Sequence, residues 1–124
     1  MSDKKRIMVI DDDPDILEAV KAILSSTGFE VITAQSAKQG LELLNEIRPD
    51  LVLCDMMMES VDAGIAFAND FRNKYSEIPV YLMSSIGDAT AANIEIDKIG
   101  FEGVFQKPID PGFLLTTIKG FLKS

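Results

Sequence analysis

The chain has 124 residues, 47% of them hydrophobic, and a formal net charge of −8. The length fits one domain over residues 1–124, and the apolar share can bury a core, which excludes a disordered tail. The acidic balance argues against direct nucleic-acid binding and against an anionic membrane surface, since both need clustered Lys and Arg. Histidine is absent, so phosphohistidine, Ser-His-Asp triads and histidine metal sites are not chemistries of this chain. Cys54 is the single cysteine. No internal disulfide can form, and a reducing, cytoplasmic setting is expected. The start MSDKKRIMVI reaches Asp11 too soon for a signal-peptide core. No apolar run approaches the ~20 residues of a membrane span, so no membrane insertion is expected.

In chain order, Arg6 to Ile10 reads as a buried strand rich in Ile and Val. Asp13 before Pro14 suits an N-cap followed by proline at the first helical position. Ile16, Leu17, Val20, Ile23 and Leu24 follow at helical spacing, and Gly28 stops that helix. Glu30 to Ala34 reads as a second strand. Ser36 and Gln39 form a capping box for a helix carrying Leu41, Leu43, Leu44 and Ile47, ended by Pro49. Leu51 to Cys54 is a third strand, apolar throughout and therefore central. A loop from Asp55 to Asp62 leads into a helix with Ile65, Phe67, Ala68 and Phe71. Val80 to Met83 is a fourth strand, entered through Pro79. A helix from about Ala89 to Ile99 ends at Gly100. Val104 and Phe105 mark a short fifth strand. Asp110 and Pro111 open a last helix with Phe113, Leu114, Leu115, Ile118, Phe121 and Leu122.

Five strand-helix alternations predict an α/β fold, a doubly wound parallel sheet with helices on both faces. Five strands in this length favour the flavodoxin-like order 2-1-3-4-5, with five helices, over the Rossmann order. Ligands of such sheets bind beyond the carboxyl ends of the strands, where strands 1 and 3 meet. The residues at those ends are therefore informative. Strand 1 ends in Asp11, Asp12 and Asp13, strand 3 in Asp55, strand 4 in Ser84 and Ser85, and strand 5 runs through Gln106 to Lys107.

Crowded carboxylates repel one another unless a cation sits among them. Hard oxygen ligands suit Mg²⁺. Metal, lysine and hydroxyl together would neutralise a transferring phosphoryl group, and a carboxylate can serve as its nucleophile. Asp55, on the central strand between the acidic run and Ser84, is the best-placed acceptor. Each residue also has a plainer reading. Asp13 is most simply a helix cap, Cys54 a small apolar core residue, and Met56, Met57 and Met58 core filling or a flexible contact surface. The signal lies in the joint placement on four strand ends.

These fragments resemble the receiver domain of two-component response regulators, and the resemblance covers essentially the whole chain. IMVIDDDPDI resembles the family's first strand and acidic pocket, and DLVLCDMMM its phosphoacceptor strand. IPVYLMSS resembles its fourth strand, and GFEGVFQKPID its fifth, with Lys107-Pro108 as the family's Lys-Pro pair. The resemblance implies that Asp12 and Asp55 ligate Mg²⁺ directly, that Asp11 holds its water shell, and that the Met57 carbonyl is a further ligand. It implies that Ser84 and Lys107 contact the phosphoryl oxygens, and that the Lys107–Pro108 peptide is cis. The donor would be a histidine kinase or a phosphotransfer protein. The chain would be a signalling phosphoacceptor rather than a turnover enzyme, and with no output domain after the last helix it would act by binding a partner. Three positions depart from the family pattern. Glu59 stands where a proline is common, Gly64 comes one residue late, and Val104 takes the switch aromatic's place beside Phe105.

Three rival functions fit parts of the pattern. A haloacid-dehalogenase-like phosphatase also begins with spaced aspartates, but it needs threonine or valine where Asp15 stands, and usually a longer chain. A flavodoxin-like electron carrier would have its flavin phosphate repelled by the acidic run. A phosphorylation-independent protein-binding module would not need the acidic, hydroxyl and lysine positions intact.

Overall fold

Five short runs of alternating or continuous apolar residues assemble into one parallel sheet. The computed structural model describes residues 5–55, 73–74, 78–84, 103–106 and 109–122. Its strands are β1 (Arg6–Ile10), β2 (Glu30–Ala34), β3 (Leu51–Asp55), β4 (Val80–Ser84) and β5 (Gly103–Gln106). Its helices are α1 (Pro14–Ser25), α2 (Ala37–Leu43) and α3 (Pro111–Leu122). The sheet order is β2-β1-β3-β4-β5, and every neighbouring pair is parallel. This is the flavodoxin-like order that the alternation predicted. The helices expected over residues 65–71 and 89–99, and the loop after Asp55, lie outside the described residues.

All five residues of β3 are buried, as befits the central strand of a sheet covered on both faces. One core cluster joins Ile7, Val9, Leu51, Leu53, Tyr81, Met83 and Phe105 of the sheet to Leu17, Val20 and Leu24 of α1 and to Leu114 and Ile118 of α3. The alternate residues Met8, Ile10, Val52, Cys54, Val80 and Leu82 are buried as well. Full burial of one such aliphatic side chain contributes about 1.5–3 kcal/mol. Aromatic contacts tie β4 and β5 to α3. The Tyr81 and Phe105 rings lie 5.2 Å apart, Phe105 and Phe113 5.5 Å, and Tyr81 and Phe121 5.9 Å. Phe105 is thereby committed to the core on this face.

Helix ends follow local chemistry. Asp13 caps α1, its carboxylate accepting the Asp15 N–H at 2.9 Å. This is the usual reach of an N-cap, to the second helical N–H, and Pro14 at the first position leaves no N–H unpaired. Asp110 caps α3 in the same way, accepting from Gly112 and Phe113. At α2 the Ser36 hydroxyl accepts the Gln39 N–H, and the Gln39 amide oxygen accepts from Gln35 N–H, one residue before the usual capping-box partner.

Several boundaries differ from those expected, among them β5, which runs Gly103–Gln106 rather than over Val104 and Phe105 alone. β3 and β4 each run one residue longer, through Asp55 and Ser84. α2 is shorter than its apolar spacing suggested. It ends at Leu43, and the chain then tightens into three-residue turns, Asn45 N–H to Glu42 C=O and Glu46 N–H to Leu43 C=O. Asparagine is a poor interior helix former, and Pro49 pulls its predecessor out of helical conformation, so the apolar period outlives the helix.

Gly28 follows α1 with φ of 95°, and an added Cβ there would meet nothing within 4 Å. The cost of a side chain at this position is therefore torsional. Gly120, inside α3, also has open space around it but has no such backbone demand. Gly28→Ala should lower the unfolding free energy by roughly 1–2 kcal/mol. Gly120→Ala should raise it by roughly 0.5–1 kcal/mol. Urea denaturation of the two variants checks both signs.

Candidate functional site

The register of the sheet builds the site. Ile10 of β1 pairs with Cys54 of β3, so the residues that follow them, Asp11 and Asp55, lie side by side at the carboxyl edge of the sheet. Asp55 pairs in turn with Met83, and Ser84, the next residue of β4, pairs with Gln106 at the end of β5. At the opposite edge, the strand entries are tied together. Arg6 N–H donates to the Asp50 carboxylate at 2.8 Å, and Asp50 N–H donates to the Arg6 carbonyl at 2.7 Å. Glu30 N–H donates to the Lys5 carbonyl at 2.9 Å. The Arg6–Glu30 ion pair beside them is half-exposed and adds little.

One carboxylate oxygen from each of Asp11, Asp12 and Asp55 lies within 4.8 Å of the others. Asp11 is fully buried, Asp55 is 4% exposed and Asp12 faces solvent. Three hard oxygen donors this close match the ligand chemistry of Mg²⁺, which takes a few carboxylates and fills its remaining positions with water and phosphate oxygens. The donor set thus fits a small divalent cation. Asp13 is not among the three, in keeping with its role as a cap.

Asp11 is held by its neighbourhood. Its Oδ1 accepts the Asp13 N–H at 2.9 Å, and its own N–H donates to the Ala34 carbonyl of β2 at 3.1 Å. Cys54 is buried as expected of a small apolar residue, and its Sγ–H also reaches the Asp55 carbonyl at 3.4 Å. The sequence reading foresaw neither contact. The first had a legible signal, because an aspartate two residues before an N–H favours a local turn of this kind. The backbone of Ser84 is at the carboxyl end of β4, where the sequence put it. Met57, Lys107 and the Lys107–Pro108 peptide lie outside the described residues.

Residues 7–119 match the family model described as the response regulator receiver domain. The chain belongs to this family. Receiver domains are phosphoacceptor domains of two-component signalling. The receiver domain of NtrX from Brucella abortus superposes with a TM-score of 0.86 at 29% identity, covering 95% of this chain and 98% of that one. The chemotaxis response regulator CheY4 of Vibrio cholerae gives a TM-score of 0.83 at 26% identity, covering 96% and 99%. Among curated proteins, the chain is 32% identical over 120 residues to ycf27 of Cyanophora paradoxa, named a probable transcriptional regulator. That match covers 97% of this chain and 49% of the relative. The receiver chain spans about half or less of the length of the curated relatives it matches. No helix among the described residues is long and apolar enough to cross a membrane.

The three clustered carboxylates repel one another when no cation is present. Asp12 is exposed, so its charge can be removed without leaving a buried polar group behind. Asp12→Asn should therefore raise the metal-free melting midpoint by roughly 2–4 °C. The same variant should lose most of the stabilisation that Mg²⁺ gives the wild type. Thermal unfolding of both proteins, with and without Mg²⁺, reads out the two effects.

Proposed function

We propose that the chain accepts a phosphoryl group on Asp55, in the presence of Mg²⁺, and that this changes its affinity for a partner protein. The observation that carries the reading is the meeting of Asp11, Asp12 and Asp55 at the carboxyl edge of the sheet, with the acceptor buried on the central strand. The donor in this reading is the phosphohistidine of a histidine kinase or phosphotransfer protein. The nitrogen–phosphorus bond of the donor breaks as a bond forms between phosphorus and an Asp55 oxygen. Bound Mg²⁺ would offset the negative charge of the acceptor and of the incoming group.

The remaining roles belong to this chain's own residues. Asp12 and Asp55 would supply direct ligands, with the Met57 carbonyl as a third, and Asp11 would hold the water shell. Ser84 would donate its hydroxyl to one phosphoryl oxygen, and Lys107 would place a positive charge on another. The chain would change only its own phosphorylation state and turn over no separate substrate. It would bind neither nucleic acid nor a bilayer itself, in line with its net charge of −8. A single buried cysteine suits a cytoplasmic setting.

Incubation with a small donor that carries a nitrogen–phosphorus bond, such as phosphoramidate, tests the assignment. Intact mass should show one added phosphoryl group that requires Mg²⁺ and is labile to hydroxylamine. Asp55→Asn should take up none, and equal labelling of that variant would overturn the acceptor. Lys107→Ala and Ser84→Ala should still bind Mg²⁺ but accept phosphate more slowly, by roughly 100-fold.

A further inference from the structure

Asp13 stands next to the three carboxylates without joining them, yet its N–H, its carbonyl and one carboxylate oxygen are all hydrogen-bonded. Its N–H donates to Asp11 Oδ1 at 2.9 Å. Its own Oδ1 accepts the Asp15 N–H, also at 2.9 Å. Its carbonyl accepts from Ile16 at 3.1 Å and Leu17 at 3.2 Å, which starts the ladder of α1. Two local turns therefore run in series, from Asp11 to Asp13 and from Asp13 to Asp15. Downstream, α1 is pinned to the sheet through Leu17, Val20 and Leu24.

We propose that Asp13 is a positioning residue for the cation site. By capping α1 it fixes the turn whose N–H holds the Asp11 carboxylate within reach of Asp12 and Asp55. The physical reason is rotational. A buried carboxylate anchored at one oxygen cannot swing about its terminal torsion, which is otherwise broad. The direction of the anchoring N–H depends on the Asp13 backbone, at φ −95° and ψ 110°. Pro14 already keeps residue 13 in the extended region, and the cap bond to the Asp15 N–H fixes where within that region the Asp13 backbone lies. The Asp13 side chain is exposed, so water and salt screen its charge. It acts through geometry.

The inference rests on the cation site proposed above, and its test separates the two. Mg²⁺ is titrated into the 124-residue wild type and into Asp13→Ala, Asp13→Asn and Asp13→Ser, with amide chemical shifts as the readout. Metal-free thermal unfolding of each is recorded alongside. Asn and Ser both retain a capping oxygen, whereas Ala does not. Asp13→Ala should raise the Mg²⁺ dissociation constant about tenfold, as loss of an outer-shell contact does. Asp13→Asn and Asp13→Ser should remain within about twofold of wild type, the share left for a screened charge. An Asp13→Ala protein that melts lower yet binds Mg²⁺ like the wild type would make Asp13 a cap alone and overturn the proposal. Asp13→Asn as weak as Asp13→Ala would assign the effect to charge and overturn it too. A wild type that takes up no Mg²⁺ removes the cation site itself, and this inference with it.

Discussion

The pairing of β1 with β3 is the constraint on which the site depends. Ile10 opposite Cys54 places Asp11 beside Asp55. A slip of one residue would turn every side chain of the strand to the other face and separate the two carboxylates. Two features resist that slip. Both strands are buried along nearly their whole length, so a shifted register would expose or crowd apolar side chains on both faces. At the other end, the reciprocal bonds between Arg6 and Asp50 lock the strand entries together. The acidic edge is thus positioned from the edge opposite, through rigid strands five residues long.

The same geometry sets an energetic conflict. Two unit charges about 4 Å apart repel by about 1 kcal/mol in water and by about 4 kcal/mol at an effective permittivity near 20. A small domain has a net stability of about 5–15 kcal/mol, so such repulsion is a sizeable part of it. The large core offsets it, with Leu51, Leu53, Leu82, Met83, Leu114 and Ile118 all essentially inaccessible to solvent. Burial is also graded across the site. Asp11 and Asp55 sit inside while Asp12 remains wet, which limits the number of charges that must be desolvated together.

Much of this was legible in the residues, and for identifiable reasons. Strand positions came from Ile-, Val- and Leu-rich runs between turn residues. The Asp13-Pro14 and Asp110-Pro111 pairs announced two helix starts, because cap and proline act locally. The end of α2 was not legible, since Leu44 and Ile47 keep the helical period and still bond four residues back, to Gly40 and Leu43, while Asn45 and Glu46 between them bond only three back. Apolar spacing reports which face is buried, not which hydrogen bond closes the turn. The pocket carboxylates could be named from their strand ends. Their spacing could not, because it depends on the register of strands more than forty residues apart in sequence.

Phe105 shows how a resemblance and a packed structure inform each other. By resemblance the switch position falls on Val104, and a neighbouring phenyl ring invites the idea that Phe105 has taken over its task. The ring contacts argue otherwise. Phe105 is 2% exposed and is packed against Tyr81 and Phe113 on the face covered by α1 and α3. A ring held by two aromatic neighbours in a close-packed core cannot rotate into a pocket at the sheet edge without opening a void the size of a phenyl group. Truncating a buried phenylalanine to leave such a void costs about 3–5 kcal/mol. A rotating ring keeps its atoms, so only the void part of that cost would fall to phosphorylation, as differential free energy between the two states. The packing of Phe105 against Tyr81 and Phe113 therefore marks it as a core residue, distinct from the Val104 position that the resemblance assigns to the switch.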